Sequence, residues 1–90
     1  MQPYDTFIDL VYSIRDKTVL QDFLMSITTD SEREAFVKRI EIVKRLLTGE
    51  PQAQIAKELG VGIATVTRGS KELANGKFLA LRREGNDESY

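Results

Sequence analysis

Apolar residues recur at intervals of three and four along most of this chain, which is the spacing of one face of an α-helix. The first such stretch predicts an amphipathic helix from about Tyr4 to Asp16, and a shorter stretch from Val19 to Ile27 predicts a second. Alternation of β-branched residues is never sustained, and the chain contains only 2 prolines. We therefore predict an all-α fold.

A third predicted helix has well-marked ends. Either Thr29 with Glu32 or Ser31 with Glu34 fits a capping box, in which hydroxyl and carboxylate satisfy free backbone N–H groups. Gly49 suits the left-handed position after the helix end. A wide apolar stripe on three helices in 90 residues indicates that a second subunit buries part of this surface.

Composition excludes several classes of function. The chain has no Cys and no His, so the commonest metal ligands and general base are missing. No phosphate-binding loop motif is present, and we predict neither a catalytic nor a metal site. No apolar run approaches the roughly 20 residues of a membrane span, and the N-terminus does not resemble a signal peptide. These features predict a cytoplasmic protein without a membrane partner.

The formal net charge of −1 conceals an uneven distribution. Residues 1–34 hold three basic against seven acidic side chains, whereas residues 35–83 hold ten against four. A basic segment between acidic ends is typical of a chain that meets phosphate groups at one place. Solvated helix faces would give the same pattern.

Residues 52–73 have the pattern of a helix-turn-helix. Gly60 stands where the chain must reverse, and Val66 and Leu73 lie on the inner face of the second helix. The exposed N-terminal end of that helix is the part that enters the DNA major groove in this motif. Two helices around a glycine turn can also be purely structural.

The residues around this helix end suit contacts to DNA. Short side chains let the backbone approach the groove, threonine hydroxyls donate or accept hydrogen bonds, and apolar groups contact thymine methyls. The candidate DNA-binding residues are Gln52, Gly62, Ile63, Ala64, Thr65, Thr67, Arg68 and Lys71.

The chain resembles the bacterial tryptophan repressor family from about Phe7 to Leu73, with one residue fewer near Pro51–Gln54. Residues 62–70 are close to the recognition-helix signature of that family, and this match is highly specific. Further similarity lies in residues 7–10, 32–35 and 39–50.

The resemblance implies an intertwined helical homodimer with one helix-turn-helix unit per chain. The chain length predicts a single domain, which we place at residues 1–83, and composition predicts a polar tail over 84–90. In helix-turn-helix dimers, a class that includes this family, recognition helices lie about 34 Å apart and face successive major grooves of a palindromic operator. The family uses L-tryptophan as corepressor, a small amino-acid effector that sets this spacing.

The resemblance also implies an effector site. Arg39 and Arg68 would enclose the indole ring, Thr29 and Arg68 would bind the carboxylate, and Gly69 would leave room for the ring edge. Taken alone, Arg39 could instead form an intersubunit salt bridge and Arg68 a phosphate contact. Thr29 could serve only as a helix cap.

Three positions near the implied effector site depart from the family pattern. Ser26 and Thr28 align with leucines, and Glu72 aligns with a serine that touches the ligand ammonium group. Glu72 could pair with that ammonium group or with Arg68, four residues earlier on the same helix.

Three functions remain open from the sequence. The first is a dimeric repressor gated by tryptophan, and the second is a similar DNA-binding regulator with another effector or none. The third is a helical dimerisation or adaptor module that never contacts DNA. The sequence leaves open whether Lys77–Arg83 is helical.

Overall fold

The computed structural model describes the backbone of residues 2–85 and the side chains of residues 2–82. Within these bounds the chain is all-helical and contains no strand, which confirms the predicted fold class. The chain forms two compact units; the first ends at Arg33 and the second begins at Glu34. The helices are α1 (Pro3–Ser13), α2 (Lys17–Ile27), α3 (Asp30–Leu47), α4 (Gln52–Leu59), α5 (Ile63–Ala74) and α6 (Leu79–Gly85).

Helix α1 ends three residues before the predicted boundary at Asp16. Ile14 already has an extended backbone, with φ −79° and ψ 120°. Asp16 is the N-cap of α2, where its carboxylate accepts hydrogen bonds from the backbone N–H groups of Thr18 (2.7 Å) and Val19 (3.2 Å). The prediction of a helix through Asp16 is therefore wrong, because this side chain stabilises the start of the next helix.

Helices α1 and α2 leave their apolar side chains accessible. Neither of these described helices contains a buried residue. The rings of Tyr4 and Phe7 lie 6.1 Å apart, and those of Phe7 and Phe23 lie 6.2 Å apart. Further large apolar side chains of these two helices are more than one third exposed, among them Ile8, Leu10, Val19, Leu24, Met25 and Ile27.

The junction of α2 and α3 resolves the two predicted capping alternatives. The N–H of Thr29 donates to Glu32 Oε1 at 2.8 Å, and the N–H of Glu32 donates to Thr29 Oγ1 at 3.2 Å. This reciprocal pair is a capping box at the start of α3. Arg33 also caps the end of α2, since its Nη1 donates to the carbonyl oxygen of Thr28 at 2.8 Å. Among the two alternatives, Thr29 with Glu32 is the pair that forms.

The core of the second unit lies where α3, α4 and α5 meet. Gly60 joins α4 to α5 in the left-handed conformation at φ +66°, as its position predicts. Gly49, at φ +85°, likewise follows the end of α3. Packing α4 on α5 this way leaves the first turn of α5 outside the core. The buried side chains are Ile42, Val43, Ile55, Ala56 and Val66. Leu46, Leu59 and Val61 pack against the cluster that is formed by Ile42, Ile55, Ala56 and Val66.

A charged network joins the end of α3 to α4. Arg45 Nε lies 3.2 Å from Glu41 Oε2 and 3.8 Å from Glu50 Oε2, while Arg45 Nη1 donates a hydrogen bond to Glu58. Gln54 Nε2 donates to the other Glu58 oxygen at 3.1 Å. Two hydrogen bonds lower the pKa of Glu58 below its ordinary value of 4.5. The bond from Arg45 has the larger effect and the bond from Gln54 the smaller.

We expect Glu58→Gln to reduce the decrease in the free energy of unfolding that occurs in acid. Because the folded state lowers the pKa of Glu58, ionised Glu58 stabilises the fold above pH 4.5, and this contribution disappears as the pH falls below that value. Glutamine cannot titrate at this position. The free energy of unfolding in urea should therefore fall less between neutral pH and a pH below 4.5 in the variant than in the parent. Parallel losses in both proteins would contradict this, and Glu34→Gln is the control for removing an exposed carboxylate.

The C-terminal helix settles the question left open for Lys77–Arg83. Helix α6 covers Leu79–Gly85 and therefore includes the first two residues of the predicted polar tail. The rest of that tail, residues 86–90, lies outside the described residues. No helix in the described part of the chain is both long and apolar enough to cross a membrane.

Candidate functional site

The N-terminal end of α5 is exposed. Gly62 precedes it with an extended backbone, and Ile63, Ala64 and Thr65 are all accessible; the side chain of Ile63 is 50% exposed. The sequence-predicted DNA-binding residues in this turn therefore lie on an open surface. Val66, at the end of the same turn, is buried in the cluster with Ile55 and Ala56 of α4, which anchors this exposed helix end.

Thr67 differs from its neighbours. It is half-buried, and its Oγ1 donates a hydrogen bond to Gln52 Oε1 at 2.8 Å. The bond joins the first residue of α4 to the middle of α5, so two candidate DNA-binding residues hold each other in place. Sequence periodicity could not reveal this pair, since the two residues are 15 positions apart.

A pocket of about 360 Å³ lies between α5 and α3. Its volume is within the range of small-molecule sites. Ile42 and Val43 supply an apolar floor, and Arg39, Arg68 and Glu72 supply charge. Its remaining lining residues are Thr65, Gly69 and Phe78.

The charged groups of the pocket are not paired with one another. No hydrogen bond or ion pair joins Arg68 to Glu72 among the described residues, so the predicted alternative of an (i, i+4) pair does not form. Arg39 and Arg68 are exposed, and neither guanidinium has a hydrogen-bond or ion-pair partner within residues 2–82. Two free cationic groups beside one carboxylate complement a ligand that carries both an anionic and a cationic group.

Gly69 brings α5 close to α3 beside this pocket. A Cβ at this position would lie 3.4 Å from Ile42 Cγ2, 3.5 Å from Leu46 Cδ1 and 3.9 Å from Val43 Cγ2. These are ordinary van der Waals distances, so packing alone does not require glycine here. The absence of a side chain leaves space against Ile42 and Val43, which also line the pocket.

We expect Gly69→Ala to raise stability while impairing ligand binding. Alanine in a helix interior is favoured over glycine by up to about 1 kcal/mol. If a ligand fills this space, the added methyl group should weaken its binding at least about fivefold, because overpacking costs about 1 kcal/mol or more. Thermal unfolding and ligand titration measure the two effects. Gly62→Ala, where a Cβ meets nothing within 4 Å, is the matched control, and unchanged ligand affinity in Gly69→Ala would contradict the expectation.

Thr29 and Phe78 differ from the sequence-predicted residues that line the pocket. Thr29 belongs to the first unit, where its hydroxyl and N–H form the capping box at α3, and its assignment to a ligand stays a prediction. Phe78 lines the pocket but was missed by the sequence analysis. The sequence feature that could have indicated this role is an aromatic residue in the otherwise polar link after α5.

These features define a small all-helical protein with a charged pocket between two helices and an exposed helix end beside it. The chain matches the Trp repressor protein family over residues 2–78 and belongs to that family. This confirms the resemblance found in the sequence and places the chain in a regulatory rather than an enzymatic family.

Three relatives show the extent of the similarity. A Trp operon repressor homolog of Vibrio vulnificus (strain YJ016) is 49% identical over 73 residues, covering 78% of this chain and 70% of the relative. A homolog of the same name from Vibrio cholerae serotype O1 is 49% identical over 67 residues, or 73% of this chain and 65% of the relative. One from Aliivibrio fischeri (strain MJ11) is 54% identical over 54 residues, or 59% and 50%.

Proposed function

We propose that this chain is a cytoplasmic transcriptional repressor that binds palindromic operator DNA as a homodimer with L-tryptophan as corepressor. The observation that carries this proposal is the position of α5, which has the charged pocket on one side and its exposed first turn on the other. Thr65 lies in this first turn and also lines the pocket, and Arg68 lines the pocket and is a candidate DNA contact. A ligand in the pocket would therefore act directly on the element that meets DNA.

The pocket suits an aromatic amino acid. Arg68 would hold the carboxylate through charge-assisted hydrogen bonds, and the planar guanidinium of Arg39 would stack on the indole ring. Glu72 would accept a hydrogen bond from the ammonium group, and Gly69 leaves space for the ring edge. Thr29 is proposed as a further carboxylate ligand on family resemblance alone.

The DNA interface would be the helix-turn-helix formed by α4 and α5. Ile63, Ala64 and Thr65 are placed to contact base edges in the major groove. Arg68 and Lys71 lie on the exposed side of the same helix and would contact phosphates, as would Gly62 through its backbone. Gln52 and Thr67 would bind DNA as one hydrogen-bonded unit.

The homodimer is supported by apolar surface that this chain leaves uncovered. Helices α1 and α2 bury none of their residues, and α3 exposes Phe36 (45%), Val37 (64%) and Ile40 (42%). Exposed apolar area of this extent is typical of an interface. We propose that the helices of a second copy cover it, which would unite residues 1–83 into one intertwined domain.

Tryptophan would act by shifting a conformational equilibrium. A ligand between α3 and α5 fixes the distance of α5 from the core, and in a dimer this sets the separation of the two recognition helices. The ligand thus favours the state that fits successive major grooves, about 34 Å apart. No bond is made or broken.

A second candidate function keeps DNA binding but replaces the effector. It is favoured by Glu72, a carboxylate in the pocket where the family has serine, and by the polar Ser26 and Thr28. Calorimetry and thermal unfolding with millimolar L-tryptophan separate the two, because a ligand that binds the folded state raises its melting temperature. Neither heat nor stabilisation would remove tryptophan as corepressor.

An adaptor module without DNA contacts is excluded by a different experiment. Each phosphate that a protein neutralises on duplex DNA makes the plot of log affinity against log salt steeper by about 0.9. A DNA-binding dimer should therefore show a steep negative slope. No measurable DNA binding at low salt would favour the adaptor module.

A further inference from the structure

Phe78, in the link between α5 and α6, breaks two local preferences at once. It is the only non-glycine among the described residues with a positive φ, at +61°. A bulky side chain is uncommon there because its Cβ approaches the backbone too closely. Its carbonyl oxygen also accepts the N–H groups of Leu81 and Arg82, both at 3.1 Å, which makes it the N-cap of α6. Small polar residues are strongly preferred at that position.

The surrounding backbone holds Phe78 in this conformation. The N–H of Gly76 donates to Leu73 O and that of Lys77 donates to Glu72 O, both at 3.0 Å. Arg82 then donates its Nε to Lys77 O at 3.0 Å and its Nη2 to Leu73 O. The link is thus fastened to the last turn of α5, and the strained residue within it is fixed rather than free to relax.

The result of this arrangement is that a half-buried aromatic side chain lines the charged pocket. The other described lining residues are aliphatic, polar or charged, so Phe78 is their one aromatic member. Conformations that cost free energy locally and are held by their surroundings cluster at ligand-binding positions. An aromatic wall favours a flat aromatic ligand through offset or edge-on ring packing.

We propose that Phe78 is a specificity-determining residue of the effector pocket, whose ring contacts the aromatic ring of the bound amino acid. This inference rests on the proposed function, and it adds a residue that selects aromatic over aliphatic amino acids. Arg68 and Glu72 recognise the carboxylate and ammonium groups that all amino acids share. Phe78 would therefore add a second ring contact to the proposed stacking of Arg39.

Because the chain contains no Trp, the protein has no tryptophan fluorescence of its own. Fluorescence of L-tryptophan then reports only the ligand, and its titration gives a Kd for the parent, Phe78→Leu and Phe78→Tyr. Leu and Tyr experience the same backbone strain as Phe, but only Tyr retains a ring. We expect Phe78→Leu to raise the Kd for tryptophan about two- to tenfold. Phe78→Tyr, which keeps a ring, should bind tryptophan about as tightly as the parent. Leu79→Ala, at a neighbouring residue that is 66% exposed and does not line the pocket, should bind as the parent does.

Competition between amino acids gives a measurement that should not change if Phe78 has only a structural role. L-phenylalanine and L-leucine are used to displace bound tryptophan, and the preference of the parent for phenylalanine should shrink in Phe78→Leu. If Phe78→Leu binds tryptophan as tightly as the parent with unchanged preference, the inference is overturned and the proposed corepressor stands. If the parent itself does not bind tryptophan, both fail.

A measurement on the parent keeps the inference testable should Phe78→Leu not fold. In protein with isotope-labelled phenylalanine, nuclear Overhauser effects between the Phe78 ring and indole protons are expected, with assignment through Phe78→Tyr. Their absence in the saturated complex would overturn the inference.

Discussion

Arg68→Met is expected to weaken L-tryptophan binding about 10- to 150-fold with little change in stability. Its guanidinium lines the pocket and has no hydrogen-bond or ion-pair partner among the described residues, so it is free to bind a carboxylate. A hydrogen bond to a charged group contributes about 1.5–3 kcal/mol, which corresponds to this range of affinity. Methionine keeps the aliphatic part of the side chain and removes only the charged donors. Ligand fluorescence measures the affinity, and thermal unfolding without ligand measures the stability.

Lys71→Met is the matched control for this variant. Lys71 is exposed on the same helix, carries the same charge and does not line the pocket. It should bind tryptophan as the parent does, whereas its affinity for DNA should fall through the loss of the proposed phosphate contact. Equal tryptophan affinity in Arg68→Met and Lys71→Met would show that Arg68 does not hold the carboxylate.

Ile55→Ala is expected to destabilise the protein by about 2–5 kcal/mol, the usual cost of removing three methyl or methylene groups from a packed core. Ile55 is 0% exposed, in the cluster that joins α3, α4 and α5. Since small proteins are stable by only about 5–15 kcal/mol, this loss is a large fraction of the total. Urea unfolding followed by circular dichroism measures it, at one fixed protein concentration because a dimer gains stability with concentration.

Ile63→Ala makes the same chemical change at the exposed start of α5. The side chain of Ile63 is 50% exposed, so we expect a change in stability of about 0.5 kcal/mol or less. Its DNA affinity should nevertheless fall, because the proposed contact to a base edge is lost. If Ile55→Ala is no less stable than Ile63→Ala, the packing of α4 against α5 is not what positions the exposed helix end.

The elements that sequence predicted well depend on local rules. The turn between α4 and α5 follows from Gly60, since glycine adopts a positive φ without strain. The capping box at Thr29 follows from residue types three positions apart. The boundary of α1 was missed because apolar periodicity continued past Ser13, while the preference of Asp16 for an N-cap ended the helix earlier.

The pocket was only partly predictable. Arg39, Arg68, Gly69 and Glu72 were expected through family resemblance, and the structure brings them together around one cavity. The pairing of Arg68 with Glu72 was allowed by spacing, but whether it forms depends on side-chain conformation. The backbone of Phe78 could not be anticipated, because no residue type other than glycine indicates a positive φ reliably.

In the proposed function, tryptophan in the pocket controls the affinity of α5 for DNA. The most direct test selects duplexes from a randomised pool with the protein and millimolar L-tryptophan, then measures their affinity with and without tryptophan at fixed salt. We predict binding at least about fivefold tighter with tryptophan, the lower end of typical allosteric coupling, and loss of this difference in Arg68→Met. Equal affinity with and without tryptophan would show that tryptophan does not control DNA binding.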